Sequence, residues 1–267
     1  VRPDLTLKQA LDQGAAILSR GGVEPARLTA EVLLAHAAGR DRVYLMTHPE
    51  ERLTELAWIH YGRWLHERLA GKPTQYITRK QEFWGREFEV SPEVLIPRPE
   101  TEHVVERALE IGSPGGPVID VGTGSGCIAI TLALEWGRTV FACDIGPLDV
   151  ARRNARRHGA DVEFFQGDLL SAVRSAAMVV SNPPYVPETD ELPREVRDWE
   201  PHRALFAGAD GLRIWRRLIA ETPRGCWLIG EVDSRADMQG LFGGDWVDFE
   251  TRADLAGRQR VVSARRR

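Results

Sequence analysis

Residues 118–130 read VIDVGTGSGCIAI. A short apolar run meets Gly122, Gly124 and Gly126, and an apolar stretch of helical length begins at once at Cys127. A strand that turns on glycines into a helix lets backbone N–H groups approach a ligand at the helix N-terminus. Outward from this unit the pattern alternates: PVIDVG (117–122), CIAITLALEW (127–136), TVFACD (139–144), PLDVARRNARRHG (147–159), VEFFQ (162–166), MVVSN (178–182). Such alternation predicts βαβ units and a parallel sheet covered on both faces. After a long loop at 186–208, a helix over 210–221 leads into GCWLIGEVD (225–233). The segment WVDFETRADLAGRQRVVSARR (246–266) then holds two strands with no helix between them, which pair antiparallel at the end of the sheet. The expected fold is α/β and Rossmann-like: seven strands, mostly parallel, the last one antiparallel.

Ahead of the sheet the period is helical. Thr6 to Gln9 has capping-box spacing, followed by a stripe of Leu7, Leu11, Ile17 and Leu18. A second helix fits 25–38, from Pro25 to Gly39. A third fits 51–70, with Leu53, Leu56, Ile59, Trp64, Leu65 and Leu69 as its apolar side. A small bundle follows from these three. EFWGREFEV (82–90) alternates and turns at Gly85-Arg86, the mark of a hairpin. In VLIPRPET (94–101), Pro97 and Pro99 forbid regular structure, and Thr101 opens a helix over 101–111. The expected domains are a helical bundle at 1–72, a hairpin linker at 73–100 and the sheet domain at 101–267.

The bulk numbers bound the function. With 43% hydrophobic and 28% charged residues in 267, the chain has a globular composition with enough apolar residue for a core. No apolar segment approaches the roughly 20 residues that span a bilayer. The first residues, VRPDLTLKQALDQG, lack the basic start and apolar centre of a secretory signal. Cys127, Cys143 and Cys226 are odd in number and set among apolar neighbours, so they read as reduced core residues of a cytoplasmic protein. The histidines show no ligand spacing, and no metal is expected. A net charge of −4 argues against nucleic acid as the main substrate. The arginine doublets at 152–153 and 156–157 read as a solvated helix face.

The glycine loop carries its own chemistry. Asp144 ends the next strand, about 20 residues on, where a carboxylate takes ribose hydroxyls. The third glycine of GxGxxG is missing from its place, and no GKS or GKT follows for a triphosphate. Asp120 lies two residues before Gly122, where it would repel a pyrophosphate but face a cation. A cofactor with an adenosyl ribose, a positive charge and no phosphate is S-adenosylmethionine. Gln166-Gly167-Asp168 after the third strand supplies an adenine contact.

Residues 178–187, MVVSNPPYVP, place Asn182, Pro183, Pro184 and Tyr185 at the end of the fourth strand, beside that cofactor. Two prolines fix φ and remove two donors. The Asn182 side chain and the Pro183 carbonyl are then two acceptors for a planar –NH₂ group, whose lone pair is aimed at the sulfonium methyl. Tyr185 can stack on a flat amide or base. The motif therefore reads as methylation of a planar amino group, either an amide or a base.

In combination, KPTQYI (72–77), FWGREFEVSPEVLIPRPETEHVVERAL (83–109), VIDVGTGSGCIAI (118–130), QGDLL (166–170), VSNPPYV (180–186), EPHRALFAGADGL (200–212) and DLAGRQRVV (254–262) resemble the release factor glutamine methyltransferases, the PrmC/HemK family. The likeness covers nearly the whole chain. It implies a class I methyltransferase that modifies the side-chain amide (N5) of the glutamine in the Gly-Gly-Gln loop of class-1 peptide release factors. By that resemblance Gly122, Thr123, Gly124, Ser125 and Gly126 form the cofactor loop, Asp144 holds the ribose, and Asp168 and Leu169 flank the adenine. Asn182, Pro183, Pro184 and Tyr185 grip the glutamine, Arg98 to Thr101 lie close to the cofactor, and the bundle docks the release factor. The chain departs from the family pattern at Arg79, where glycine is common, and at Asp233 and Ala236 in the Glu-x-Gly-x-x-Gln segment that begins at Glu231. The loop 186–203 reads either as a lid over the amide or as a passive solvated loop. The competing readings are an amino-group methyltransferase for adenine or guanine in nucleic acid, and a cofactor-binding scaffold without activity.

Overall fold

A computed structural model describes residues 5–254 and 256–267. Residues 1–4, part of the segment read against a secretory signal, and Leu255, in the DLAGRQRVV motif, lie outside the described residues. The chain divides into two compact units: residues up to Arg79 together with Pro193–Trp199, and Lys80–Leu192 together with Glu200–Arg267.

The first unit is helical. Helix α1 (Leu7–Arg20) begins with the capping box read from the sequence: the Gln9 N–H donates to Thr6 Oγ1 at 3.2 Å, and the Thr6 N–H donates to Gln9 Oε1 at 3.0 Å. Its stripe holds at Leu7, Leu11 and Leu18, while Ile17 is 37% exposed. Helix α2 (Ala26–Ala38) takes Pro25 as its N-cap and ends on a left-handed Gly39. A short helix α3 (Arg42–Thr47), capped by Asp41, was not legible in the sequence because six residues carry no period. Helix α4 (Glu55–Leu69) starts at a Thr54 cap, so 51–54 are not helical.

The buried side of α4 is Ala57, Tyr61 and Leu65, whereas Leu56 and Ile59, expected inside, are 65% and 56% exposed. Tyr61 decides the rotation: its ring lies so close to α1 that a Cβ on Gly14 would meet the phenol oxygen at 1.8 Å. Helix α5 (Thr74–Thr78) ends on Arg79 at φ 60°. Left-handed backbone favours glycine, which explains the glycine in the family pattern and makes Arg79 a strained substitute.

The second unit opens with a hairpin, β1 (Lys80–Phe83) and β2 (Arg86–Glu89). Phe83 pairs with Arg86, so the turn is Trp84-Gly85, one residue earlier than expected. Both turn residues have positive φ, as the twist of a two-residue hairpin requires. A 3-10 turn at Pro99–Thr101 leads into α6 (Glu102–Ile111). Then come β3 (Val118–Val121), α7 (Cys127–Trp136), β4 (Val140–Asp144), α8 (Asp149–His158), β5 (Val162–Gln166) and β6 (Met178–Ser181). The long loop contains a short helix α9 (Arg194–Trp199), which belongs to the first unit, and a 3-10 turn at His202–Ala204. The chain finishes with α10 (Arg213–Glu221), β7 (Trp227–Glu231), β8 (Trp246–Ala253) and β9 (Gln259–Arg266).

The seven strands lie in the order β5-β4-β3-β6-β7-β9-β8. The first five are parallel, and β9 runs antiparallel between β7 and β8. Every residue of β3 and β6 is buried, as central parallel strands require. The order reverses between β3 and β6, and the carboxyl ends of those two strands are the switch point at which such sheets bind ligands. All three cysteines are buried and free. Of the arginine doublets on α8, Arg153 and Arg157 are paired with Glu89 and Glu87 of the hairpin.

Candidate active site

A cavity of about 450 Å³ opens at the switch point, a volume within the range of small-molecule sites. Its wall includes Gly122, Thr123, Gly124, Ser125, Asp144, Asp168, Leu169, Asn182 and Pro184. The sheet thus brings most of the residues singled out in the sequence to one chamber. Gly126, Pro183 and Tyr185 are not on its wall.

The glycine loop is folded around its own donors. The N–H groups of Gly122 and Thr123 both donate to the Cys143 carbonyl, at 2.9 and 3.0 Å, and that of Gly126 donates to the Thr123 carbonyl at 2.8 Å. Gly124 N–H donates to Asp144 Oδ2 at 2.9 Å. Four of the donors that a pyrophosphate would need are therefore engaged within the protein. Gly126 has no room for a side chain: at φ 85°, a Cβ would meet Ile130 Cδ1 at 2.8 Å and Ala151 Cβ at 3.2 Å.

Beneath the loop, Asp120 is fully buried. Its Oδ2 accepts from Thr123 Oγ1 at 2.7 Å and from the Ala129 N–H at 3.2 Å. Its Oδ1 finds no hydrogen-bond partner among the described residues. Burial pushes this carboxyl up to about 7, partly offset by the two hydrogen bonds. On the cavity wall, Asp144 is oriented by the Gly124 N–H and by the Gly146 N–H, which donates to Oδ1 at 2.7 Å. Each oxygen keeps acceptor capacity toward the cavity. Asp168 Oδ1 accepts from Arg217 at 2.9 Å, and the following Leu169 takes a left-handed conformation at φ 50°.

Asn182 stands at the other side of the chamber. Its Nδ2 donates to Thr101 Oγ1 at 2.9 Å, and Thr101 in turn donates to Glu231 Oε2 at 2.6 Å. Tyr185 turns away from the cavity, and its hydroxyl donates to Glu231 Oε1 at 2.9 Å. Burial together with the Glu231 charge pushes the Tyr185 phenol far up, so it stays protonated. Gly211 presses on this turn: a Cβ there would overlap the Tyr185 carbonyl oxygen at 2.2 Å. Arg98 pairs with the buried Glu200, whose Oε2 also accepts the Ile96 N–H at 3.2 Å. That pair holds the proline segment whose Pro97 and Thr101 line the cavity.

The chain matches the PrmC N-terminal domain over residues 9–78 and the methyltransferase small domain over 102–196. It is 46% identical to the release factor glutamine methyltransferase of Koribacter versatilis, over 98% of this chain and 99% of that one. It is also 38% identical to the Geobacter sulfurreducens protein of the same name, over 99% and 98%. The chain belongs to the release factor glutamine methyltransferase family. In fold it is similar to the T. thermophilus 16S rRNA N2 G1207 methyltransferase, with a TM-score of 0.51 and 17% identity over 70% of this chain and 50% of that one.

Within this member of the release factor glutamine methyltransferases, the sequence did not disclose how several residues at the site meet. Glu231 closes an apolar strand, and Thr101 reads as a helix opener. Their meeting joins positions 130 residues apart. Arg203 and Arg213 also line the chamber beside Arg217. Arg203 was visible only as part of EPHRAL, and nothing about its spacing points inward.

Proposed function

We propose that this chain transfers a methyl group from S-adenosylmethionine to the side-chain amide nitrogen (N5) of a glutamine in a release factor, the Gly-Gly-Gln glutamine of class-1 factors. The observation that carries this reading is the single chamber walled on one side by the glycine loop and Asp144 and on the other by Asn182 and Pro184. Family membership along the full chain supports the glutamine of a release factor over a nucleobase.

The residues present suit S-adenosylmethionine. Asp144 offers free lone pairs to ribose hydroxyls, and Asp168 and Leu169 lie where a flat base would be flanked. The loop has four of its N–H groups already engaged, which disfavours a phosphate. Asp120, expected from the sequence to face a cation, lies buried beneath the loop and off the chamber wall, where it braces the loop by accepting from Thr123 Oγ1 and the Ala129 N–H. When bound, the cofactor supplies an electrophilic methyl on a positively charged sulfur.

Asn182 Oδ1, on the chamber wall, accepts an N–H bond of the substrate amide; the Pro183 carbonyl, expected from the sequence as the second acceptor, is not on that wall. Holding the amide at Asn182 directs the lone pair of a delocalised nitrogen toward the cofactor end of the chamber; alignment of this kind is where a large share of such rate gains arises. The amide proton leaves after transfer, so no strong general base is needed beside Asn182. Tyr185 supports this turn from behind through Glu231 in place of stacking on the amide. The helical first unit docks the release factor, the reaction takes place in the cytoplasm, and nucleic acid is not the main substrate.

The test supplies the protein with labelled S-adenosylmethionine and, separately, a class-1 release factor, ribosomal RNA and duplex DNA. Label is expected on the release factor alone. Label on RNA or DNA with none on the factor would transfer the reading to a nucleobase amino group.

A further inference from the structure

We propose that Glu231, acting through Thr101, sets which way round the Asn182 amide faces, and is thereby a positioning residue for methyl transfer. The inference rests on the reading of Asn182 as the acceptor for the substrate amide. It goes beyond that reading in assigning what makes Asn182 an acceptor at all.

The argument is an inventory of protons. A threonine hydroxyl has one proton to give, and an ionised carboxylate can only accept. Burial raises the Glu231 carboxyl. The Thr101 hydroxyl at 2.6 Å from Oε2 and the Tyr185 hydroxyl at 2.9 Å from Oε1 nevertheless give each oxygen a donor and favour the ionised form, so the Thr101 proton is committed to Glu231. Thr101 can then only accept from the Asn182 atom 2.9 Å away, which must be the –NH₂ group. Asn182 Oδ1 is left on the opposite side, free to accept from a substrate.

Glu231 is held so that it cannot turn. Its second oxygen accepts the Tyr185 hydroxyl at 2.9 Å, and its carbonyl accepts Trp215 Nε1 at 3.1 Å. Its strand lies beside β6, with Gly230 in register with Ser181, one residue before Asn182. Glu231 is 1% exposed and Thr101 2%, so water does not compete for either group. Glu231 is not on the cavity wall, whereas Thr101 and Asn182 are. Its effect on a substrate therefore runs through Thr101.

Replacing Glu231 by its amide keeps the shape and removes the polarity. In Glu231→Gln the Tyr185 hydroxyl holds the glutamine oxygen, and the –NH₂ group faces Thr101. Thr101 then gives its proton to Asn182 Oδ1, and Asn182 presents –NH₂ to a substrate –NH₂. Donor meets donor.

The experiment measures kcat, KM for the release factor and the calorimetric Kd for S-adenosylmethionine in the full chain. The variants are Glu231→Gln, Thr101→Val, Thr101→Ser, the double variant Glu231→Gln/Thr101→Val, and Asn182→Ala. Glu231→Gln is expected to lose about 100-fold in kcat, the scale of a misplaced reacting group, with cofactor Kd unchanged. Thr101→Val should match it, Thr101→Ser should retain activity, and the double variant should be no worse than either single one. Wild-type kcat in Glu231→Gln beside an inactive Asn182→Ala would overturn the inference and leave the function standing. Additive losses in the double variant, with a weakened cofactor Kd, would also overturn it by showing a merely structural role. Should Glu231→Gln fail to fold, the Thr101 pair decides: an inactive Thr101→Ser, or an active Thr101→Val, contradicts the relay. Full activity in Asn182→Ala would instead strike the underlying reading.

Discussion

Asn182 is the residue on which the chemistry turns, because it supplies the side-chain acceptor at the chamber's substrate end. Asn182→Ala is expected to lower kcat by at least about 100-fold, the cost of losing alignment, while calorimetry finds cofactor affinity retained. Asp144 acts at the opposite end. Asp144→Ala is expected to weaken cofactor binding by about 10- to 100-fold, the worth of hydrogen bonds to a charged group, in the same titration. Asp120 gives a pH signature. Burial raises its carboxyl to about 7, above the roughly 3.9 of an unfolded chain. An acid raised in this way contributes its stability in full below the unfolded value and loses it as pH rises through the folded one. Without cofactor, the stability of the chain relative to Asp120→Asn should therefore fall between about pH 4 and about pH 7 and level off above. Paired thermal melts across that window check it; a difference that is flat or rising would contradict the assignment.

Among the elements, the glycine turn after β3 and the proline turn after β6 were both legible, since glycines and prolines punctuate a chain whatever surrounds them. The mostly parallel sheet followed from alternation alone, whereas the order of its strands is seen only in the structure. What the sequence concealed is the side-chain traffic between elements. Asn154 on α8 reads as a polar residue on a charged helix, yet it is fully buried. Its Nδ2 donates to the carbonyls of Glu89 and Ser125 at 3.0 and 2.9 Å, and its Oδ1 accepts the Glu89 N–H at 2.7 Å. One amide thus joins the hairpin to the glycine loop. Asn154→Ala should cost about 3 kcal/mol in denaturant unfolding, because it strands buried backbone groups. The buried face of α4 was misjudged for a related reason: Tyr61 fits against Gly14, and that match outweighs a count of aliphatic side chains. Glu200 and Glu231, too, are set by partners about a hundred residues away, which the motifs that contain them do not disclose.

Across the whole molecule, charge and composition narrow the partners without choosing one. The net charge is −4, and among the described residues no helix is long and apolar enough to cross a membrane. Three arginines, Arg203, Arg213 and Arg217, line the chamber locally. Only Arg217 of these is engaged by carboxylates, those of Asp168 and Glu221, among the described residues. The choice between a protein amide and a nucleobase therefore rests on the family match along the entire chain and on the reaction itself. The decisive measurement incubates the protein with S-adenosylmethionine and a class-1 release factor, beside a factor whose Gly-Gly-Gln glutamine is changed to alanine, and locates the added mass by fragmentation. One methyl on the amide of that glutamine, absent from the altered factor, is the predicted result. A methyl elsewhere on the factor, or none on either protein, would contradict the account.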